Sequence, residues 1–566
     1  MKKHGFTLIE LLAVIVILAI IALIATPMIL GVIDSAKKGA FESSGYGIVE
    51  SAEQAYMQTQ MTMERPTLTK YQYENGNQIK MQGNIDLNYK GSKPTSGTVT
   101  INESGKVALA IYNGVYCAKK DFNDTKISLT KTSKEECTES SSITFVKNYG
   151  GNHDDYFNSV ISVSDGYVAA GYSDSNNGDL AGLNKGNYDA IIVKYDLSGN
   201  VVWKKNYGGS EFDYFKSVIS VSDGYIAVGY SESADEDLVG LNKGDIDAII
   251  IKYDLSGNVV WKKNYGGSGS DGYWNVISVN DGYIVAGYSN STDGDLTALN
   301  KGDYDAITVK YDLSGNLVWK KNYGGSSSDG YSNIILVNDG YITIGSSDSL
   351  DGDLAGLNKG SEDAIIVKYD LSGNIVWRKN YGGSNGELFN SVSQGSDGYI
   401  VVGYSNSTDG DLTGLNKGRE DAIVVKYDLN GNIVWKKNFG QSNSYNAFNS
   451  VISVSDGYVT VGSSESAGAN PTSNSGESDE IIAKFMVDIS DPTEYSAIVV
   501  KYDLNGNIVW QKDFGGSNGE NFNDIIDIND GFIVVGDSSS SDGYLTGLNN
   551  GSTDAIIIKY DSTGNF

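Results

Sequence analysis

Apolar and polar positions follow three successive rhythms along this chain. The first is nearly unbroken hydrocarbon: Phe6-Thr7-Leu8-Ile9-Glu10, then an apolar run from Leu11 to Ala25. As a helix, Phe6 to Ile33 is long enough to cross a bilayer. Lys2 and Lys3 before it favour a cytoplasmic start, with the rest exported. After Pro27 the pattern stays helical but becomes two-faced. Ile29, Val32, Ile33, Ala36 and Ala40 recur at spacings of three and four, with Asp34, Lys37 and Lys38 on other faces. The helix is expected to continue through Ile48, Ala52 and Tyr56 towards Met63 and to end before Pro66. Residues 66–140 then shift to short strand-like runs. These are Gln78–Met81 after the turn residues Asn75-Gly76-Asn77, Thr98–Ile101 and Val107–Tyr112, the last two separated by Asn102-Glu103-Ser104-Gly105.

The third rhythm is an internal repeat. Trp203, Trp261, Trp319, Trp377 and Trp435 are each 58 residues apart, Trp510 follows after 75, and Phe145 stands 58 before Trp203 as a degenerate copy. Repeats of this length mark propeller blades or solenoid units. One unit reads as four strands: Lys216–Ser222 and Tyr225–Ser231 about Asp223-Gly224, then Asp247–Leu255 and Asn258–Tyr265 about Ser256-Gly257. Three-strand sets begin near Asn158, Lys216, Trp274, Ser332, Asn390, Asn449 and Asn523. The last set stops where its fourth strand should start, and an orphan fourth strand, Ile143–Tyr149, precedes the first. Pairing these two closes a ring of seven four-stranded blades and leaves no open sheet edge. An open solenoid would more naturally keep whole units and a polar cap.

Composition and charge sharpen this division. The 69 glycines fit an all-β protein with many tight turns. Residues 1–140 hold 15 Lys and Arg against 14 Asp and Glu. Of the chain's 42 basic and 71 acidic residues, 27 and 57 are therefore left to the remainder. A repeat region that acidic repels phosphate backbones, so it is not expected to bind nucleic acid.

Glu10 is the anomaly of the first segment. A carboxylate inside a spanning helix costs about 2.5–3.5 kcal/mol at the centre and less near an end. The eleven Leu, Ile and Val residues from Leu11 to Ile24 each return roughly 0.3–0.6 kcal/mol, so the segment still inserts. Lys2-Lys3-His4-Gly5 followed by Phe6-Thr7-Leu8-Ile9-Glu10-Leu11-Leu12 resembles the class III signal of type IV prepilins and pseudopilins. The resemblance implies cleavage by prepilin peptidase between Gly5 and Phe6, methylation of the new Phe6 amine, and a role for Glu10 in docking onto other pilin subunits. A buried ammonium needs a carboxylate partner, which gives Glu10 its purpose. Pro27 falls where pilin helices often carry a proline. A conventional secretory signal would need a small-residue cleavage site after a shorter apolar core, and a plain anchor would leave Gly5 and Glu10 unexplained.

Val107–Tyr112 followed by Tyr116-Cys117-Ala118 resembles the last strands of small pilin head domains. That likeness implies a Cys117–Cys137 staple, and export would allow the pair to form. The blades resemble tryptophan-bearing bacterial repeat families that include quinoprotein-like propellers. Nothing here matches the residues a quinone cofactor needs, so this likeness implies fold only.

The expected architecture is therefore mixed. It has a leader at 1–5, a stalk helix at 6–65, a small α+β pilin head at 66–140, and an all-β seven-bladed propeller at 141–566. The tryptophan, placed in each outermost strand, is expected to pack blade on blade. The loop Asp-Gly-Asp-Leu-x-x-Leu-Asn-Lys-Gly repeats with Asp293 and Asp295, Asp351 and Asp353, and Asp409 and Asp411. It has the oxygen spacing of calcium loops without their bidentate glutamate, so calcium ligation and hydrogen-bonded turns both stand open. No other cofactor is expected. A 17-residue insertion within 466–495, carrying Ala467, Asn470, Pro471, Asp488 and Pro492, breaks the pattern on the face where propellers commonly bind ligands. It reads as a recognition element or as a neutral insertion. The expected function is a minor or specialised pilin-like subunit, in the cytoplasmic membrane before assembly and then on a pilus or the cell surface. Its propeller would bind a surface protein or glycan. The alternative is a pseudopilin of a secretion or DNA-uptake machine whose propeller engages a machine component or cargo. An enzyme is not expected, since the repeats present no singular nucleophile or carboxylate cluster and His153 is the one histidine after the leader.

Overall fold

A computed structural model describes residues 34–59, 69–82, 85–89, 93–101, 105–120, 126–134 and 137. It also describes residues 145–561 and 564, apart from 298, 418, 441–443, 455, 466–494, 529–530, 543–544, 546–547 and 550. The expected spanning segment and helix end lie outside these. The chain divides into two compact units, Met1–Ser142 and Ile143–Phe566.

In the first unit, helix α1 covers residues 34–59 and packs on a six-stranded antiparallel sheet. Its strands are β1 (Thr69–Glu74), β2 (Asn77–Gln82), β3 (Ser96–Ile101), β4 (Val107–Tyr112), β5 (Tyr116–Lys120) and β6 (Ser128–Lys131), in the order β2-β1-β3-β4-β5-β6. Phe41, Ile48, Val49 and Ala52 of α1 meet Tyr71, Tyr73, Val99, Ile101, Leu109 and Ile111 of the sheet in one core. The helix turns its apolar face onto the sheet only from Phe41. Ala36 and Ala40, expected on the same stripe, are exposed. Strands β1 and β6 were not anticipated. The first alternates tyrosine with polar residues, and the second is a four-residue edge with no buried side chain. Cys117 and Cys137 form a disulfide.

The second unit is seven four-stranded antiparallel sheets. In the second blade Asp213–Val221, Gly224–Ser231, Asp247–Asp254 and Val259–Tyr265 pair in sequence order. The innermost strand begins three residues earlier than the hydrophobic pattern placed it, because the polar start, Asp213-Tyr214-Phe215, is already paired. The two middle strands are buried on both faces, as in Gly224–Ser231 and Asp247–Asp254. That burial follows from stacking each sheet between two others. Six apolar clusters join successive blades along the chain. A seventh packs Phe145, Tyr149, Ile533 and Ile557 of the last blade against Phe157, Val160 and Ile191 of the first. Strand β7 (Phe145–Tyr149) supplies the outermost strand of the last blade, pairing from Ala555↔Tyr149 to Lys559↔Phe145. The unit is a closed seven-bladed propeller.

Candidate functional site

Much of what repeats in the propeller holds it together. Each repeat tryptophan packs on the second strand of the following blade. Trp203 lies 5.9 Å from Tyr225, Trp261 6.2 Å from Tyr283 and Trp435 6.1 Å from Tyr458, and Phe145 does the same against Tyr167 at 6.2 Å. The carboxylates that open the innermost strands are also structural. Asp213 Oδ2 accepts from the Gly209 N–H and the Ser233 hydroxyl, each at 2.8 Å, and Ser231 bonds the other oxygen. Burial pushes the pKa of Asp155 up to about 7 and that of Asp213 up to about 6.

The six aspartates for which calcium ligation and hydrogen-bonded turns both stood open have partners within the propeller. Asp295, Asp353 and Asp411 each form an ion pair with a lysine of the preceding blade, namely Lys243, Lys301 and Lys359. Asp293, Asp351 and Asp409 accept the backbone N–H of Ser268, Ser326 and Ser384 at 2.6–2.7 Å. Among the described residues no group of three or more His, Cys, Asp or Glu is placed to hold a metal ion. The loop motif therefore appears as a ratchet of contacts between neighbouring blades.

The site that distinguishes one blade from another lies at the hub. Every innermost strand carries a β-bulge one residue after its third position, as between Phe215 and Ser217 or Tyr273 and Asn275. A bulge re-aims side chains, and here it brings the bulged residues and, in every blade but the second, their successors to one cavity of about 380 Å³. The bulged residues are Asn158, Lys216, Trp274, Ser332, Asn390, Asn449 and Asn523, one per blade. Five of them tie their blade to the next. Asn158 Nδ2 donates to the Phe215 carbonyl at 2.7 Å, Asn390 to Phe448 at 3.0 Å, and Asn449 to Phe522 at 2.9 Å. Ser332 donates to Phe389, and Asn523 closes the circle onto Phe157 at 2.9 Å.

Lys216 and Trp274 leave this belt. The Lys216 ammonium stands 4.8 Å from the Trp274 ring centroid and 5.3–5.5 Å from those of Tyr172, Tyr214 and Tyr230. Among the described residues it has no hydrogen bond and no ion pair. Loss of water around it pushes its pKa down to about 8. The four rings offer electron-rich faces to the charge but no acceptor oxygen in place of water. Trp274 keeps 37% of its surface exposed. Asn275 and Asn333, the next residues along the strands of the third and fourth blades, line the same cavity. Their side chains make no hydrogen bond within the described chain.

Asp524 is the other charged residue of the lining. It is already engaged, accepting from the Ser450 hydroxyl at 2.8 Å and the Val160 N–H at 2.9 Å. It thereby links the sixth, seventh and first blades across the seam of the ring, and desolvation pushes its pKa up to about 6.

Of the residues singled out by sequence, Gly5, Phe6 and Glu10 lie outside the described residues. So do Ala467, Asn470, Pro471, Asp488 and Pro492 of the insertion. The hub residues were taken only as strand starts. A signal for them was present: of seven tryptophans six hold the repeat position, and Trp274 is the exception. Aligned copies also read Asn, Lys, Trp, Ser, Asn, Asn, Asn at this position, directly after a Phe or Tyr in every copy.

Comparison with known proteins gives two kinds of match. Residues 1–26 match the prokaryotic N-terminal methylation motif, so the chain carries a prepilin-type start ahead of its propeller of repeated four-stranded sheets. Two curated relatives match parts of the chain. The regulatory protein FlaEY of Caulobacter vibrioides is 24% identical over 204 residues, 33% of this chain and 21% of that protein. The uncharacterized WD repeat-containing protein L264 of Acanthamoeba polyphaga mimivirus is 25% identical over 146 residues, 22% of this chain and 10% of that protein. The matches thus span a minor part of both relatives. Among solved structures, the Neurospora crassa Pan2 WD40 domain aligns with TM-score 0.39 and 11% identity over 72% of this chain and 89% of that one. Sqt1 from Chaetomium thermophilum aligns with TM-score 0.36 and 9% identity over 73% and 99%.

Proposed function

We propose that this chain is a specialised type IV pilin-like subunit. Its N-terminal helix is trimmed by prepilin peptidase, waits in the cytoplasmic membrane and docks among sister helices, so that the propeller is held outside the cell as an adhesive or partner-binding module. The observation that carries this reading is the methylation motif over residues 1–26, with Gly5, Phe6 and Glu10 in its pattern. Two features of the first unit support it. Helix α1 has residues 35–40 exposed ahead of the part that packs on the sheet, which leaves that turn free for a neighbouring helix. The helix, its sheet and the disulfide together form the small head. The described residues include no helix long and apolar enough to cross a membrane, so anchoring falls to the segment before Asp34.

In this reading the propeller binds a partner: its hub presents amides, hydroxyls, one ammonium and one indole, and the one carboxylate, Asp524, is held by Ser450 and Val160. Its acidic surface keeps it from nucleic acid. The test is mass spectrometry of mature protein together with a Glu10→Ala strain. The expected outcome is loss of Met1–Gly5, a methylated Phe6 amine, and a variant that enters the membrane but not filaments. Retention of Met1–Gly5 would overturn it. Co-purification with components of a secretion or DNA-uptake machine instead of pilus subunits would move the protein to the pseudopilin reading.

A further inference from the structure

We infer that the hub cavity is a receptor for one acidic sugar ring, a pyranose bearing a carboxylate, free or at the end of a glycan. Its carboxylate would pair with Lys216 and its apolar face would lie on Trp274. This rests on the reading of the propeller as a displayed binding module and names what it binds.

Four observations converge. First, the blades are near copies, yet the hub position varies, and the inter-blade belt is broken at Lys216 and Trp274 alone. Those two residues are not needed for the tie that the other five make. Second, the half-buried Lys216 ammonium has no acceptor among the described residues, and the aromatic rings around it are neutral. An anion entering the cavity completes it at little further desolvation cost, and charge-assisted bonds of this kind are among the stronger ones. Asp524, the opposite charge in the lining, is held by Ser450 and Val160 and so does not compete. Third, Trp274 leaves part of its indole uncovered. The C–H face of a pyranose carries slight positive charge and suits the negative face of an aromatic ring.

Fourth, Asn275 and Asn333 line the cavity with amides that have no partner among the described residues, each able to donate to and accept from a hydroxyl. A cavity of about 380 Å³ accepts a small polar ligand with some water. It lacks the apolar side-chain pockets by which grooves select peptides. Leu388 and Trp274 are the apolar side chains with open surface there.

The test uses full-length protein in detergent and titration calorimetry with the methyl glycosides of glucuronate, galacturonate and N-acetylneuraminate. Methyl glucoside serves as the neutral control and triglycine as a peptide carboxylate. At least one acidic glycoside is expected to bind, with the neutral glucoside at least tenfold weaker. Lys216→Met keeps the apolar stem and should lower affinity for the acidic glycoside at least tenfold, leaving that for the neutral one unchanged. Trp274→Leu should weaken both. Unchanged circular dichroism and melting will show that each variant is folded, and Val239→Ala, at an exposed loop position outside the cavity lining, should bind as the parent does. Absence of binding to all three acidic glycosides overturns the inference, as does binding that survives both Lys216→Met and Trp274→Leu. Preferential binding of triglycine overturns the sugar assignment. These measurements do not depend on where the protein resides, so their failure and the failure of leader processing are separate results.

Discussion

Glu236 sits where its sister blades place glycine, and replacing it should stabilise the propeller. At the corresponding position Gly178, Gly294, Gly352 and Gly410 have φ of 58–61°, and Glu236 is held at φ 46°. A Cβ built on Gly294 would lie 2.4 Å from the Gly266 carbonyl oxygen of the preceding blade. In the second blade that clash has been relieved by retreat. The Asp237 N–H reaches the Gly208 carbonyl at 3.3 Å, where Asp179, Asp295, Asp353 and Asp411 make the same bond at 2.9–3.0 Å. The Glu236 side chain is exposed and has no partner among the described residues, so nothing is lost with it. A left-handed L residue costs roughly 1–2 kcal/mol, and a glycine there costs roughly 0.5–1 kcal/mol of unfolded-chain entropy. With a few tenths from the restored bond, Glu236→Gly should gain about 1 kcal/mol.

The assay is native-state hydrogen exchange at the Asp237 and Leu238 amides, where about 1 kcal/mol is roughly a fivefold slowing. The reciprocal change, Gly294→Ala, should cost about 2 kcal/mol, because it adds both the backbone strain and the contact with Gly266. Slower exchange in Gly294→Ala, or none in Glu236→Gly, would refute the reasoning.

Three further outcomes are expected. Burial holds Asp155 and Asp537 protonated up to about pH 7 and Asp213 up to about pH 6, well above their unfolded value of 3.8. The folded state therefore binds more protons between about pH 4 and 7, and stability should fall as pH rises across that window. Asp155→Asn, copying the natural Asn446 of the sixth blade, should flatten the slope of urea midpoint against pH. Cys117→Ser opens a 20-residue separation and should cost the first unit about 3 kcal/mol, lowering its melting transition and leaving that of the propeller in place. Deleting Phe145–Tyr149 leaves Asp554–Asp561 an unpaired edge, so light scattering should report self-association.

The blades were legible in the sequence because Asp-Gly and Ser-Gly pairs sit between apolar runs at a fixed period. Closure was legible too, because the chain begins the array with one strand and ends it with three. Two kinds of feature were not. The aspartates of the repeated loop resemble ligands within one copy, but Asp295, Asp353 and Asp411 pair with lysines of the preceding copy, 52 residues earlier in the chain. Such a contact exists only once blades are stacked. The bulge that brings Trp274 and Asn275 to the same cavity leaves no mark in hydrophobic periodicity, since it consists of one unpaired residue. Strand β6 was missed for a simpler reason: its side chains are mostly exposed, so burial imposed no alternation on Ser128–Lys131.

The strand that shuts the ring is also the one through which the first unit is joined to it. Tension drawn along the chain from its amino-terminal end enters the propeller at Phe145, on a ladder of five residue pairs, where the neighbouring middle strands share seven or eight. A load applied from that side while the hub is held meets that short ladder first, which makes it the mechanical fuse of the ring.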